Sequence, residues 1–210
     1  MAKRIGLSMR VTNAADYVEP RDSIAQDWYS FLNVFAPELM WITVPNVGAD
    51  VKEYIQKWGI EGFILTGGND IGQAPERDAT ENAILKYALD NECPILGICR
   101  GLQVIQHFLG GELSQCSREV HVAQYHEISF TDLAKRYMLK GKTRVNSYHT
   151  QAVAVNDLAT HLEPFAVTDD GWAEGFHHTQ HPIVAVMWHP EREVNYTKED
   201  QSLFRKTFGI

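Results

Sequence analysis

Cys93-Pro94-Ile95-Leu96-Gly97-Ile98-Cys99-Arg100-Gly101-Leu102-Gln103-Val104-Ile105-Gln106-His107-Phe108-Leu109 is the stretch on which the reading of this chain turns. An apolar run leads into Gly97-Ile98-Cys99-Arg100-Gly101, and a helix-like stretch with apolar positions on one face follows. A strand, a sharp turn and a helix in that order make a nucleophile elbow, with Cys99 at its apex. The turn is strained and its flanking backbones pass close together, so small residues are needed two before and two after the nucleophile. Gly97 and Gly101 meet that need. Cys99 then lies at a helix N-terminus, the end that favours negative charge. A buried cysteine between two chance glycines is the competing reading, and the strand before and helix after weigh against it.

The 210 residues suffice for one domain with a substantial core, and no Pro/Ser/Gly-rich linker divides them, so residues 1–210 are read as a single domain. Hydrophobic content of 44% and charged content of 22% are those of an ordinary soluble protein. A net charge of -8 argues against a nucleic-acid or anionic-membrane surface, although local basic spots for a phosphorylated substrate remain open. The N-terminus has too short an apolar run for a signal peptide, and a cytoplasmic protein is expected. Cys93, Cys99 and Cys116 make an odd count without C-x-x-C spacing, which suits neither a disulfide framework nor a zinc site. No metal and no cofactor are expected. His177, His178 and His181 cluster without a Cys or carboxylate at metal-site spacing and read as a polar turn.

Outward from the elbow, the chain alternates. Strands are expected at 4–9, 39–44 and 62–65, and helices at 23–35, 50–58 and 78–91. Arg77, Asp78 and Glu81 are expected to start and cap the last of these. Strands alternating with helices point to an α/β fold with a mostly parallel sheet and function at the strands' C-terminal ends. After Gly111 the pattern shifts to short β-like pieces near 126–130, 151–155, 165–168 and 173–177, which suggest an antiparallel extension of the sheet. Residues 183–188 form an unbroken apolar run, read as a buried central strand, and 198–208 look helical.

A cysteine nucleophile needs a base, and the base needs a group that fixes its tautomer. His189 follows the buried strand, and Glu191 is two residues on. In an extended segment the two side chains share a side, so Glu191 can bond one imidazole nitrogen and leave the other for Cys99. Taken alone, His189-Pro190-Glu191 is also a simple strand exit with a solvated acid. Thr66-Gly67-Gly68-Asn69-Asp70 ends another strand. Acyl transfer develops an oxyanion best met by backbone N–H groups, and those of Gly68 and Arg100 are assigned to it, a plain glycine turn being the alternative.

These pieces, with Gly-Gly-Glu-Leu-Ser-Gln at 110–115 and Val-Asn-Ser-Tyr-His-Thr-Gln at 145–151, resemble the class I glutamine amidotransferase superfamily. Within it the chain is most similar to free-standing γ-glutamyl hydrolases of the C26 peptidase type, from residue 4 to about 205. The resemblance implies a flavodoxin-like αβα sandwich, a Cys99-His189-Glu191 triad and a γ-glutamyl thioester. It also implies that Gln103 contacts the amino-acid end of the substrate, and that Asn146, Ser147, Tyr148 and His149 belong to the segment whose backbone near Ser147 and Tyr148 holds its α-carboxylate. From the residues alone, a helix-surface amide for Gln103 and a polar loop for 146–149 are the favoured readings; for Arg77, Asp78 and Glu81 the resemblance leaves a supporting role at the site open beside that of a helix cap.

The N-terminal segment through Arg10 and Arg21 is similar to that of compact relatives that cleave γ-glutamyl-CDP-amidate during phosphoramidate modification of surface polysaccharide, as in capsule biogenesis. Guanidinium forks suit a diphosphate, while pairing of either arginine with Glu19 or Asp22 is the plain alternative. The partner implied is a small γ-glutamyl substrate, with a homodimer allowed and neither nucleic acid nor membrane. γ-Glutamyl-γ-aminobutyrate hydrolysis, a glutaminase subunit delivering ammonia to a separate synthase, and a binding protein without chemistry are the other readings.

Overall fold

Apolar runs of four or five residues alternate with amphipathic helices through the first half of the chain, and a computed structural model resolves them into a doubly wound sheet. It describes residues 3–210; Met1 and Ala2, part of the N-terminal stretch read for a leader, lie outside the described residues. In chain order the elements are β1 (Arg4–Ser8), β2 (Arg10–Asn13), β3 (Pro20–Ser23), α1 (Asp27–Phe35), β4 (Met40–Val44), α2 (Val51–Trp58), β5 (Gly62–Leu65), α3 (Pro75–Asn91), β6 (Ile95–Ile98) and α4 (Arg100–Phe108). There follow β7 (Ser114–Gln115), α5 (Arg118–His121), β8 (Val122–Phe130), β9 (Lys142–Tyr148), β10 (Gln151–Ala152), β11 (Leu162–Val167), β12 (Ala173–His178), β13 (Ile183–Val186) and α6 (Lys198–Phe208).

Nine strands join in the order β4-β1-β5-β6-β13-β12-β11-β8-β9. The first five run parallel, and from β13 onward each neighbour is antiparallel. β5, β6 and β13 are buried at every position, as parallel strands covered on both faces must be. α2 packs on α3, α3 on α4, and α6 beside α1. Trp28, Phe31, Leu32 and Phe35 on α1 are buried as their spacing predicts, and Phe204 and Phe208 on α6 join that core. No helix among the described residues is long and apolar enough to cross a membrane.

Three expectations need correction. The first helix begins at Asp27, not residue 23, because Pro20–Ser23 pairs with Arg10–Asn13 as a separate hairpin. The third helix begins at Pro75, whose missing N–H costs nothing in a first turn. Residues 142–148 form a strand rather than a loop: as an edge strand bonded only to β8, β9 carries little of the apolar alternation that sequence patterning detects.

Candidate active site

β6 delivers Cys99 to the C-terminal edge of the sheet, between β5 and β13. Cys99 has φ 53° and ψ −104°, a conformation that costs a non-glycine residue energy and persists only where its surroundings impose it. Its N–H donates to the Val186 carbonyl at 2.8 Å, and its own carbonyl accepts from Leu102 and Gln103 as α4 begins. The flanking glycines behave as an elbow requires. A methyl at Gly101 would meet the Leu65 carbonyl oxygen at 2.1 Å, and one at Gly97 would meet Gly101 itself at 2.8 Å.

β13 ends next to β6, and the chain then presents His189, which is buried. Its Nδ1 lies 2.6 Å from Glu191 Oε1, also buried. The residues reach each other through a 3-10 turn at Pro190–Arg192 rather than along an extended strand, which corrects the expected route while keeping the contact. The other nitrogen, Nε2, is buried without a hydrogen-bond partner. Burial works against charge on His189, but ionised Cys99 and Glu191 outweigh it and push the imidazole up to about 9. Gly67 closes the space opposite: a methyl there would come within 2.7 Å of His189 Cε1 and 3.7 Å of Cys99 Cβ.

β5 supplies the loop Thr66–Asn69. Gly68 has φ 97°, and its N–H and that of Arg100, first residue of α4, have no hydrogen-bond partner among the described residues. This loop is held from beneath by the fully buried Arg77 of α3, which donates to the carbonyls of Thr66 at 2.7 Å, Gly67 at 3.2 Å and Gly68 at 3.0 Å. Arg77 Nε bonds Glu81 at 3.0 Å, and Glu81 in turn bonds the Arg100 side chain, which also bonds Asp78. Two guanidiniums and two carboxylates thus neutralise each other beneath the elbow. Burial, eased by Asp78, lowers Arg77 to about 10, and burial together with the charge of Arg77 lowers Arg100 to about 9, so both keep their charge at neutral pH. Arg77, Asp78 and Glu81 are therefore not the helix cap the sequence suggested: the N-cap is Ala74, and Asp78 accepts from the Gly72 N–H.

In the segment 146–149, three side chains engage the protein itself. Asn146 accepts from the His189 N–H at 2.8 Å and donates to the His189 carbonyl at 2.8 Å and to Glu193 at 2.6 Å, so its amide clamps the histidine's backbone. Ser147 Oγ donates to the His121 carbonyl at 2.6 Å, and His149 is buried facing Cys116 and Glu174. These three side chains are spent on the protein, whereas the expected carboxylate contact is one of the backbone near Ser147 and Tyr148. Tyr148 alone stands beside the site: 44% exposed, its ring lies edge-on to His189 at 5.7 Å and under the Arg192 guanidinium at 4.8 Å. Gln103 is buried rather than on the helix surface, with Nε2 donated to the Gln151 carbonyl at 2.9 Å.

Arg10 and Arg21 share one face of the β2–β3 hairpin, as the pairings Arg10↔Ser23 and Thr12↔Arg21 require. Asn69 fastens the hairpin to the loop by two bonds with the Val11 backbone, at 2.8 and 3.0 Å. Arg10 packs on Gly68 and lines a small cavity of about 20 Å³ with Thr66, Gly67, Trp28 and Glu191. Arg21 lies farther out, bonded to Glu19 at 2.5 Å and to the Tyr17 hydroxyl at 2.7 Å, which is the plain pairing of a surface arginine. His177, His178 and His181 sit at the β12–β13 turn, where His178 Nδ1 accepts from two backbone N–H groups.

Known proteins with related chains carry the same elements. A profile of the peptidase C26 family matches residues 5–191. The chain is 31% identical over 196 residues to γ-glutamyl-CDP-amidate hydrolase of Campylobacter jejuni subsp. jejuni serotype O:2, with 90% of each chain covered. It is 32% identical over 174 residues to a glutamine-hydrolyzing GMP synthase subunit of Methanosarcina mazei, covering 80% of this chain and 81% of that one. Among solved structures, the glutaminase domain of Trypanosoma brucei CTPS with bound acivicin superposes with TM-score 0.70 at 17% identity, covering 98% of this chain and 94% of that one. A glutamine amidotransferase from Thermotoga maritima gives 0.68 at 13%, covering 100% and 85%. At such identities these two establish the fold, that of the class I glutamine amidotransferases. Elbow, sheet and sequence agree, and the chain belongs to the peptidase C26 family.

Proposed function

We propose that this protein hydrolyses a γ-glutamyl amide through a covalent thioester on Cys99, with γ-glutamyl-CDP-amidate as substrate. Family membership already makes it an amide-bond hydrolase; what is proposed is the identity of the groups on either side of the bond. The observation that carries it is His189, bound to Glu191 through Nδ1 and left with a single unpartnered nitrogen next to Cys99.

In the first step the Cys99 sulfur attacks the γ-carbonyl carbon, and the carbonyl oxygen takes up the electron pair between the N–H groups of Gly68 and Arg100. Collapse of the tetrahedral species breaks the C–N bond, and His189 Nε2 gives its proton to the departing nitrogen. Water then loses a proton to Nε2 and attacks the thioester. The C–S bond breaks, glutamate leaves and Cys99 is restored. Glu191 keeps the imidazole in the tautomer and orientation that both transfers need.

For the leaving group, support comes from the Campylobacter relative and from Arg10, which lies over the oxyanion loop on the hairpin face it shares with Arg21. A guanidinium there suits a diphosphate on the far side of the bond. A glutaminase subunit serving a separate synthase is the second reading, favoured by the Methanosarcina relative. Turnover of glutamine, γ-glutamyl-γ-aminobutyrate, a γ-glutamyl peptide and γ-glutamyl-CDP-amidate distinguishes them. The proposal expects kcat/KM at least tenfold higher for the nucleotide substrate, and Arg10→Ala to raise KM for it by about tenfold, as loss of a charge-assisted bond would. Equal turnover of all four, or failure of the nucleotide substrate alone, contradicts it.

A further inference from the structure

Away from Cys99, the antiparallel half of the sheet holds a second concentration of chemistry that the proposed reaction does not use. His121 from α5, His126 from β8, His149 after β9 and Glu174 from β12 converge, with Cys116 alongside. His121 and Glu174 are fully buried. Yet both nitrogens of His121, both of His126, Nε2 of His149 and both carboxylate oxygens of Glu174 lack a partner in hydrogen-bond geometry, the nearest carboxylate to His121 Nε2 outside this group being Asp170 Oδ2 at 3.5 Å. Each such buried orphan costs roughly 1–3 kcal/mol, and a fold does not gather several in one place without something to satisfy them.

Their spacing indicates what does. His126 Nε2 is 3.3 Å from Glu174 Oε2, and His149 Nε2 is 3.4 Å from Glu174 Oε1, without hydrogen-bond geometry in either case. Two ligands of a tetrahedral zinc ion, each about 2.0–2.1 Å from the metal, stand about 3.4 Å apart. The rings of His121 and His126 are 4.9 Å apart and nearly perpendicular, so neither stacks on the other. One ligand atom each from His121, His126 and Glu174 all lie within 4.8 Å of one another.

We propose that His121, His126 and Glu174 bind one divalent transition-metal ion of the zinc class. His149, whose Nε2 lies 3.4 Å from Glu174 Oε1, flanks the carboxylate from the other side, where outer residues commonly orient metal ligands. Two imidazoles and a carboxylate suit zinc, with a fourth position left for water. The ion would tie α5 and β8, which are consecutive in the chain, to β12, which is separated from β8 in the sheet by β11. It also steadies the neighbourhood of the site: the His121 carbonyl accepts from Ser147 Oγ and the His149 N–H, and Asn146, next in β9, clamps His189. Cys116, His121 and His149 form a rival set that shares His121.

The test is metal content. Full-length protein incubated with zinc and desalted is expected to retain about one equivalent per chain by elemental analysis. His126→Ala and Glu174→Gln should each cut this at least tenfold, whereas Cys116→Ser should keep it. Chelation should lower the unfolding temperature of the wild type, with zinc restoring it. Should Glu174→Gln fail to fold, the cobalt-substituted wild type decides: its spectrum should lack a thiolate-to-metal charge-transfer band. Retention of less than a tenth of an equivalent by folded wild type overturns the site. Loss of metal in Cys116→Ser, or a thiolate band with cobalt, overturns the ligand assignment.

Discussion

His189 is where the chemistry concentrates in one side chain. Its imidazole is raised from 6.5 to about 9 because the charges of Cys99 and Glu191 outweigh its burial. A raised pKa means that the folded state holds the proton more tightly than the unfolded one. This contribution to stability is complete below about pH 6.5 and is lost as pH rises through about 9. In the proposed reaction the same proton goes to the leaving nitrogen, so the pH profile of kcat/KM should fall on its alkaline side near pH 9, with an apparent value that belongs to the interacting Cys99–His189 pair. Glu191→Gln removes one of the supporting charges. Its alkaline limb should move to lower pH and kcat should drop roughly 10²- to 10⁴-fold, the usual worth of general acid–base catalysis. A full pH–rate profile in which the limb stays in place would detach Glu191 from this role.

The elements that hold these residues were unequally legible. Gly97, Cys99 and Gly101 could be placed on an elbow because strand, turn and helix are contiguous there, and local geometry alone demands the glycines. Arg77 could not. Its partners are the carbonyls of residues 66–68, and a sequence shows only the Glu81 four residues on, which is equally consistent with an ordinary helix pair. The β2–β3 hairpin and β9 escaped for a different reason: they are exposed or at an edge and bury too little on one face to leave an alternating pattern. For the element that matters most to the site, α3, a clear expectation follows. Glu81 bridges Arg77 and Arg100 in a buried network, and Glu81→Gln leaves two guanidiniums with one carboxylate. Removing one partner of such a network costs about 3–5 kcal/mol. Urea unfolding should show a loss of that size, with kcat reduced as the Gly68 loop loosens. A loss below about 1 kcal/mol would mean that the network does not hold the loop.

At the scale of the whole molecule, the site exists because β5, β6 and β13 are neighbouring parallel strands whose C-terminal ends open on one crevice. Residues from 66–69, 99–100 and 189–191 meet there although Cys99 and its base His189 are far apart in the chain. That convergence was readable because each piece ends an apolar run, and runs of this kind become adjacent strands of one sheet. The cluster of His121, His126 and Glu174 was not readable, since its members come from three elements at no repeating interval. Nor was the division of labour in 146–149, where only the fold tells the clamp, Asn146, from the exposed ring, Tyr148.

Everything proposed for this site depends on a covalent step on Cys99. Rapid quench of wild type with γ-glutamyl-CDP-amidate, followed by intact-mass and peptide analysis, tests it most directly. One γ-glutamyl group in thioester linkage on Cys99, formed before steady state, is expected, with neither adduct nor turnover in Cys99→Ala. Full turnover by Cys99→Ala, or glutamate release from wild type with no adduct at any time, would contradict it.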